Sequence, residues 1–315
     1  MPRPILFDTD IGTDVDDSLA LGVVLASREA LELVAVTTVS GKADVRARIA
    51  ARLLGLAGRS DVEVCIGESA PILRPEGEFV WRGLEESFVA EGPEAPIVQE
   101  PAPERIARAA REVPGLELVM VGPLTNLARA LALDPGLPKR VAGVTIMGGH
   151  VRRVAIGEHV CEPGIDYNLC RDLEASCAVL GAGFPITLVT ADVTLQTWMT
   201  TADRTRLASG GAVARAIADQ VGAWTPWQRK IFTAIGGTLA EDNAAFLHDP
   251  LTVYSLIDPS PLHFEELRIV PTIQDGVFRT LEADPAAGIG MPMRVATAVD
   301  AEAARRGILE RLCRL

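Results

Sequence analysis

Short runs of aliphatic and β-branched residues alternate along this chain with longer stretches in which apolar residues return every three or four positions. The first run, Pro4-Ile5-Leu6-Phe7, predicts a buried strand. Leu19, Leu21, Val24 and Leu25 follow at helical spacing, with the helix entering on Asp16 or Asp17. The run from Leu33 to Val39 is β-branched and closes on Ser40-Gly41, which predicts a second strand. Residues 43–57 carry Val45, Ile49, Leu53, Leu54 and Leu56 on one side, an amphipathic helix. Further strands are predicted at 62–66, 116–121, 141–147 and 186–189, with late strands across 265–299. Helices are predicted at 103–112, up to Leu133, at 170–181, over most of 200–240 and at 300–313. Such alternation implies an α/β fold with a mainly parallel sheet covered by helices on both faces. No repeat or linker breaks the pattern, so residues 1–315 read as a single domain. Residues 67–100, rich in Pro, Gly and Glu and poor in periodicity, form a long excursion at the strand ends and a candidate lid.

Composition narrows the classes. With 48% hydrophobic and 23% charged residues the chain is an ordinary globular protein. A net charge of −12 argues against nucleic acid or an anionic membrane as partner and suits a cation and a small neutral or cationic substrate. No apolar run is long enough to span a bilayer, and the first residues lead into a strand rather than a signal peptide. The five cysteines include no CxxC pair; Cys170 and Cys177, seven apart on one predicted helix, read as small buried hydrophobes in a reducing cytosol. A cytoplasmic location is expected.

The chemistry concentrates just past the first strand. Asp8, Asp10, Asp14, Asp16 and Asp17 fall within ten residues. One helix start uses one or two carboxylates as caps; five packed together repel unless a positive charge sits among them. A hard cation such as Ca²⁺ or Mg²⁺, which takes oxygen ligands, meets that need. The spacing is not that of an EF-hand, because the twelfth position from Asp8 is Leu19. Other polar clusters also follow predicted strands or helices: Gly122-Pro123-Leu124-Thr125-Asn126, Asp166-Tyr167-Asn168 and His248-Asp249-Pro250. In a doubly wound sheet such segments gather on one rim.

On these residues, together with Val36-Thr37-Thr38-Val39-Ser40-Gly41, the chain resembles the inosine-uridine preferring nucleoside hydrolases over nearly its whole length. The resemblance implies cleavage of a ribonucleoside N-glycosidic bond, giving free base and ribose, around one tightly held Ca²⁺. It implies Asp10, Asp17 and Asp249 as carboxylate ligands and Val121 as a carbonyl ligand, with Asp10 also the general base. Asp16, Asp166 and Asn168 would bind ribose hydroxyls, and a homodimer or homotetramer is expected. Positive charge builds on the sugar as the C–N bond breaks, and an acidic floor stabilises it.

Departures from the family pattern leave several roles open. Asp14 competes with Asp16 for the ribose role. Lys42 replaces a common Asn and would bring a cation to the ribose if it pointed inward. Asp166 stands where Glu is common. Trp81 and Arg82 stand where a His is often found at the pocket mouth. His248 serves either to orient Asp249 or as a general acid toward the leaving base. Trp224 is either core or a stacking surface for the base, and His150 and His159 read as structural or surface residues. Two other functions compete. A haloacid-dehalogenase-like phosphatase leaves His248-Asp249-Pro250 unexplained. A non-catalytic nucleoside- or Ca²⁺-binding relative is motivated by Lys42.

Overall fold

The computed structural model describes residues 1–73, 83–89, 91–164, 166–274 and 277–315. In chain order its strands are β1 (Arg3–Thr9), β2 (Leu31–Thr38), β3 (Glu63–Ile66), β4 (Ile97–Val98), β5 (Glu117–Met120), β6 (Gly143–Met147), β7 (Val154–Ile156), β8 (His159–Cys161), β9 (Ile186–Val189), β10 (Trp198–Thr200), β11 (Asn243–Phe246), β12 (Leu262–Gln274), β13 (Val277–Glu282) and β14 (Met291–Val299). Among the described residues ten of them form one sheet in the order β13-β12-β14-β9-β6-β5-β1-β2-β3-β4, and β7–β8 and β10–β11 form two separate pairs. Pairing is parallel from β14 to β4, and only β12 runs against its neighbours β13 and β14.

Side-chain alternation along β1 explains why the sheet is covered on both faces. Ile5 and Phe7 enter one apolar cluster and Leu6 the other, as the two-residue period of a strand requires. The pairing of β1 with β2 shifts between Ile5 and Leu6, which face Leu33 and Ala35, so Val34 is the extra residue. That slip puts Leu33 and Val36 on the same face although their spacing is odd.

The chain lays down β1, runs outward through β2, β3 and β4, then returns to place β5 on the other side of β1. Strand order therefore reverses between β1 and β5, and the crevice beyond their carboxyl ends is where an open α/β sheet receives a ligand. The helix Asp16–Leu25, buried along its whole length, leaves from that crevice. Such all-round burial suits a helix apolar on every side. Two expectations are corrected. The predicted helix 170–181 is two helices, Tyr167–Arg171 and Leu173–Gly181, because Asp172 leaves the helical conformation and accepts the Ala175 N–H at 3.1 Å as a cap. Cys170 and Cys177 therefore sit on different helices, both against the same apolar cluster. Among the described residues no helix is long and apolar enough to cross a membrane.

Candidate active site

The aspartate turn is braced from below. The Val121 N–H donates to the Asp8 carbonyl at 2.9 Å, joining the ends of β1 and β5. The Asp8 side chain points inward: its Oδ2 accepts from Thr37 Oγ1 (2.6 Å) and Asn126 Nδ2 (2.7 Å). Asn126 also donates to the Thr38 carbonyl (2.9 Å) and accepts from the Glu68 N–H (2.9 Å). One amide thus ties together β1, β2 and the segment after β3. Burial lifts the Asp8 carboxyl to about 7, against the lowering by its two hydrogen bonds. Above this brace the chain reverses at Gly12, whose φ of +137° suits only glycine; a Cβ there would lie 3.0 Å from Ile49 and 3.1 Å from Glu85.

Two helices aim their N-termini at the same point. Asp16 and Asp17 occupy the first turn of Asp16–Leu25, and Asp249 the first turn of His248–Tyr254. Oxygens of Asp16, Asp17 and Asp249 all lie within 4.8 Å of one another, and all three residues are buried. Helix N-termini favour nearby carboxylates, and Thr9 Oγ1 donates to Asp17. That support is incomplete, because Asp249 Oδ1 is buried with no hydrogen-bond partner among the described residues. Burial raises the carboxyls of Asp16, Asp17 and Asp249 well above the ordinary range, and their mutual charge raises them further. Asp10, half-buried on the same cavity wall, is raised by burial and lowered by the Arg46 and Arg171 guanidiniums. An all-oxygen set with one orphaned carboxylate oxygen fits a hard cation.

Above the carboxylates opens a cavity of about 1240 Å³. Its floor carries Asp10, Asp14, Asp16, Asp17, Val121 and Asp249, and its walls Asp166, Asn168 and His248. Asn168 Nδ2 donates to the carbonyls of Val121 (2.9 Å) and Met147 (3.2 Å), which fixes the amide and the Val121 carbonyl together. His248 Nδ1 is hydrogen-bonded to Thr194 Oγ1 at 2.6 Å, so Nε2 is the ring nitrogen left for a ligand. Burial lowers the imidazole to about 4, and it is neutral at pH 7. The lining also includes an apolar group, with Ile156 on β7, Val160 on β8 and Ile231, Phe232 and Ile235 at the end of the helix Ala212–Ala234.

The sequence-derived site residues divide sharply. Asp10, Asp16, Asp17, Val121, Asp166, Asn168, His248 and Asp249 share the cavity. Asp16, assigned above to ribose, belongs to the converging oxygen trio with Asp17 and Asp249, whereas Asp10, expected as a ligand, is not one of the three and shares only the cavity lining. Asp166 Oδ1 accepts the Leu169 N–H at 2.8 Å, capping the helix Tyr167–Arg171, so the shorter arm is already engaged by the main chain. Lys42 is corrected: it is exposed, pairs with Glu86 and lies outside the cavity lining. Trp224 is corrected as well, being 1% exposed within the core and absent from the cavity wall. Trp81 lies outside the described residues, as do residues 74–82 generally; of the expected lid, Pro71 lines the cavity. His150 and His159, read as structural or surface residues, both line the cavity. Sequence reasoning missed Arg46, Tyr167, Arg171 and Arg279 on the same wall.

Residues 5–306 match the family described as inosine-uridine preferring nucleoside hydrolase. Over 275 residues the chain is 31% identical to probable uridine nucleosidase 2 of Arabidopsis thaliana, covering 84% of this chain and 80% of that one. Over 272 residues it is 32% identical to pyrimidine-specific ribonucleoside hydrolase RihA of Shewanella woodyi, covering 82% and 80%. Among solved structures, the plant nucleoside hydrolase PpNRh1 matches 99% of both chains with a TM-score of 0.83 at 25% identity. A purine-preferring ribonucleoside hydrolase from Gardnerella vaginalis shares the fold, with a TM-score of 0.82 over 99% and 98% of the two chains at 24% identity.

Proposed function

Because this chain belongs to the inosine-uridine preferring nucleoside hydrolases, we propose that it uses its convergent carboxylates and one Ca²⁺ to hydrolyse the N-glycosidic bond of pyrimidine ribonucleosides. It is an N-glycosyl hydrolase; the cation, the base and the roles of single residues are our reading. The observation that carries the reading is the meeting of Asp16 and Asp17, from the start of the chain, with Asp249, from near its end, around an unsatisfied Asp249 oxygen. Relatives named for uridine and for pyrimidine ribonucleosides support the choice of base.

Asp16, Asp17 and Asp249, whose oxygens converge, would hold the ion, with Asp10 and the Val121 carbonyl on the same cavity lining as further ligands. When bound, Ca²⁺ lowers the pKa of a coordinated water and fixes its position. Asp10 accepts the proton from the attacking water, and its half-buried place on the cavity lining leaves it accessible for that role. Asp16 and Asn168 orient the ribose hydroxyls from either side of the floor. The carboxylates favour positive charge on the sugar more strongly as the C–N bond lengthens, the difference that accelerates the step. His248, neutral and anchored through Nδ1 by Thr194, directs Nε2 toward the departing base. The apolar wall of Ile156, Phe232 and Ile235 excludes water from the base. Lys42 is exposed, pairs with Glu86 and is not among the cavity-lining residues, so its departure from the family pattern lends no support to a non-catalytic reading.

Release of free base from uridine, cytidine, inosine and adenosine, followed by chromatography, tests the proposal. Turnover of the pyrimidine ribosides, lost in Asp10→Asn by a factor of about 10² or more, is expected. Full activity of Asp10→Asn, or no release from any ribonucleoside with Ca²⁺ present, would overturn it. A cytoplasmic homodimer or homotetramer belongs to the same proposal; light scattering decides the assembly.

A further inference from the structure

A cluster of buried carboxylates must be held together before any cation reaches it. One buried basic side chain near this cluster comes from the helix Ala43–Leu56. Arg46 is 2% exposed and lines the same cavity as Asp10 and Asp17. Its Nε donates to the Ser40 carbonyl (2.9 Å) and its Nη1 to the Ile11 carbonyl (3.0 Å). Those two carbonyls flank the site: Ile11 belongs to the aspartate turn, and Ser40, with φ of 70°, to the turn closing β2. The remaining Nη2 lies 3.9 Å from Glu85 Oε1. Glu85, itself buried, also accepts from Thr13 Oγ1 (2.9 Å) and the Gly83 N–H (2.7 Å). The guanidinium is thus pinned by main-chain carbonyls rather than spent on the aspartates. Its charge favours the ionised forms of Asp10 and Asp17, while its hydrogen bonds go to the Ser40 and Ile11 carbonyls and not to their carboxylates.

We propose that Arg46 is a resident counter-ion of the aspartate cluster, a positioning residue that holds the cluster assembled before a divalent cation enters and against which that cation binds. Two features fix the sign. The clamp on Ile11 and Ser40 keeps the guanidinium in place when a cation arrives, so the two positive charges then oppose each other across a low-dielectric site. Glu85 moderates this, because part of the Arg46 charge is neutralised by its own partner. Arg46 therefore stabilises the metal-free protein and weakens cation affinity, and Glu85 tunes the balance. A bystander arginine that only supports the fold would stabilise both states equally. The inference rests on the cation reading given above. If the wild-type protein binds no Ca²⁺, that reading fails; if it binds and the variants below behave alike, only the role of Arg46 fails.

The test uses the full chain, stripped with chelator and titrated with Ca²⁺, reading thermal unfolding and the calorimetric Kd. Arg46→Gln removes the charge but keeps two N–H donors for the carbonyls. It should lower Tm in chelator, enlarge the Ca²⁺-induced rise in Tm, and tighten Kd by about tenfold. Arg46→Lys, which keeps the charge, should restore a near wild-type Kd. Glu85→Gln frees the Arg46 charge toward the cluster and should weaken Ca²⁺ binding several-fold, the opposite sign. An Arg46→Gln protein that folds only with Ca²⁺ is the extreme form of the expected result. Equal loss of Tm with and without Ca²⁺, or a Kd unchanged or weaker in Arg46→Gln, overturns the proposal. Should Arg46→Gln fail to fold in either condition, Glu85→Gln decides, and an unchanged or tighter Kd there overturns it.

Discussion

Replacing Asp249 with Asn should make the metal-free protein more stable while abolishing its response to Ca²⁺. Oxygens of Asp249, Asp16 and Asp17 lie within 4.8 Å of one another. At an effective dielectric near 20, two unit charges at that distance repel by about 3.5 kcal/mol. Asp249 faces two such neighbours, so with all three ionised at least about 7 kcal/mol would stand against it. Burial and mutual charge both raise these carboxyls, which favours their protonated forms and reduces the repulsion. A relief of about 1–3 kcal/mol is the reasonable remainder. A chain of 315 residues has an unfolding entropy of about 0.66 kcal/mol/K, taking about 2.1 cal/mol/K per residue. The variant should therefore melt about 2–5 °C higher than wild type in chelator. Ca²⁺ at a hundredfold excess over Kd should raise the wild type by about 4 °C, from about 2.7 kcal/mol of linkage, and leave Asp249→Asn unmoved. Differential scanning fluorimetry in both buffers reads the two effects together. A variant that melts lower in chelator, or keeps the Ca²⁺ response, would refute the convergence of charge at this position.

Asp166 is raised to about 6 by burial, against the lowering by main-chain N–H groups. Its folded pKa lies above the unfolded value, so the stability it lends is full below about pH 4 and is lost as pH rises to about 6. Asp166→Asn should then match wild type near pH 4 and exceed it by about 1–3 kcal/mol at pH 7 in urea titrations; a constant difference across pH would contradict this. Asn126→Ala removes the amide joining Asp8, Thr38 and Glu68 and should cost about 3–5 kcal/mol, seen as a lower urea midpoint at unchanged slope; a cost under about 1 kcal/mol would show the brace to be dispensable. Gly122→Ala would set a Cβ 2.8 Å from Val39 and 3.1 Å from Asp10 Oδ1. It should lower kcat by about tenfold or more through a displaced Asp10 while Tm falls by a few degrees; unchanged kcat would place Asp10 out of the chemistry.

What the sequence made legible follows from how local the cause is. β1 announced itself because burial on both faces demands an unbroken apolar run from Ile5 to Phe7. The aspartate turn was legible because repulsion between near neighbours in sequence needs no tertiary knowledge. Lys42 was not, because its direction is set by Glu86, which lies in the excursion and carries no periodic signal. Trp224 could have been placed: Ile217, Val221, Trp224 and Gln228 recur at helical spacing and are all buried, whereas Trp227 is 46% exposed on the other side. Arg46 left a similar trace, a charge within the stripe formed with Ile49, Ala50 and Leu53. Asp166-Tyr167-Asn168-Leu169 also carried a local cap signal that the resemblance obscured. His150 was out of reach, since its main chain is held by Thr280 from the far end of the chain.

The most direct measurement is base release from uridine in a single-turnover assay, made on chelator-stripped protein and on the same protein with one equivalent of Ca²⁺ restored. Carboxylates gathered from both ends of the chain predict turnover only after restoration, with one ion bound per chain. Undiminished release from the stripped protein, with no ion retained, would contradict the account.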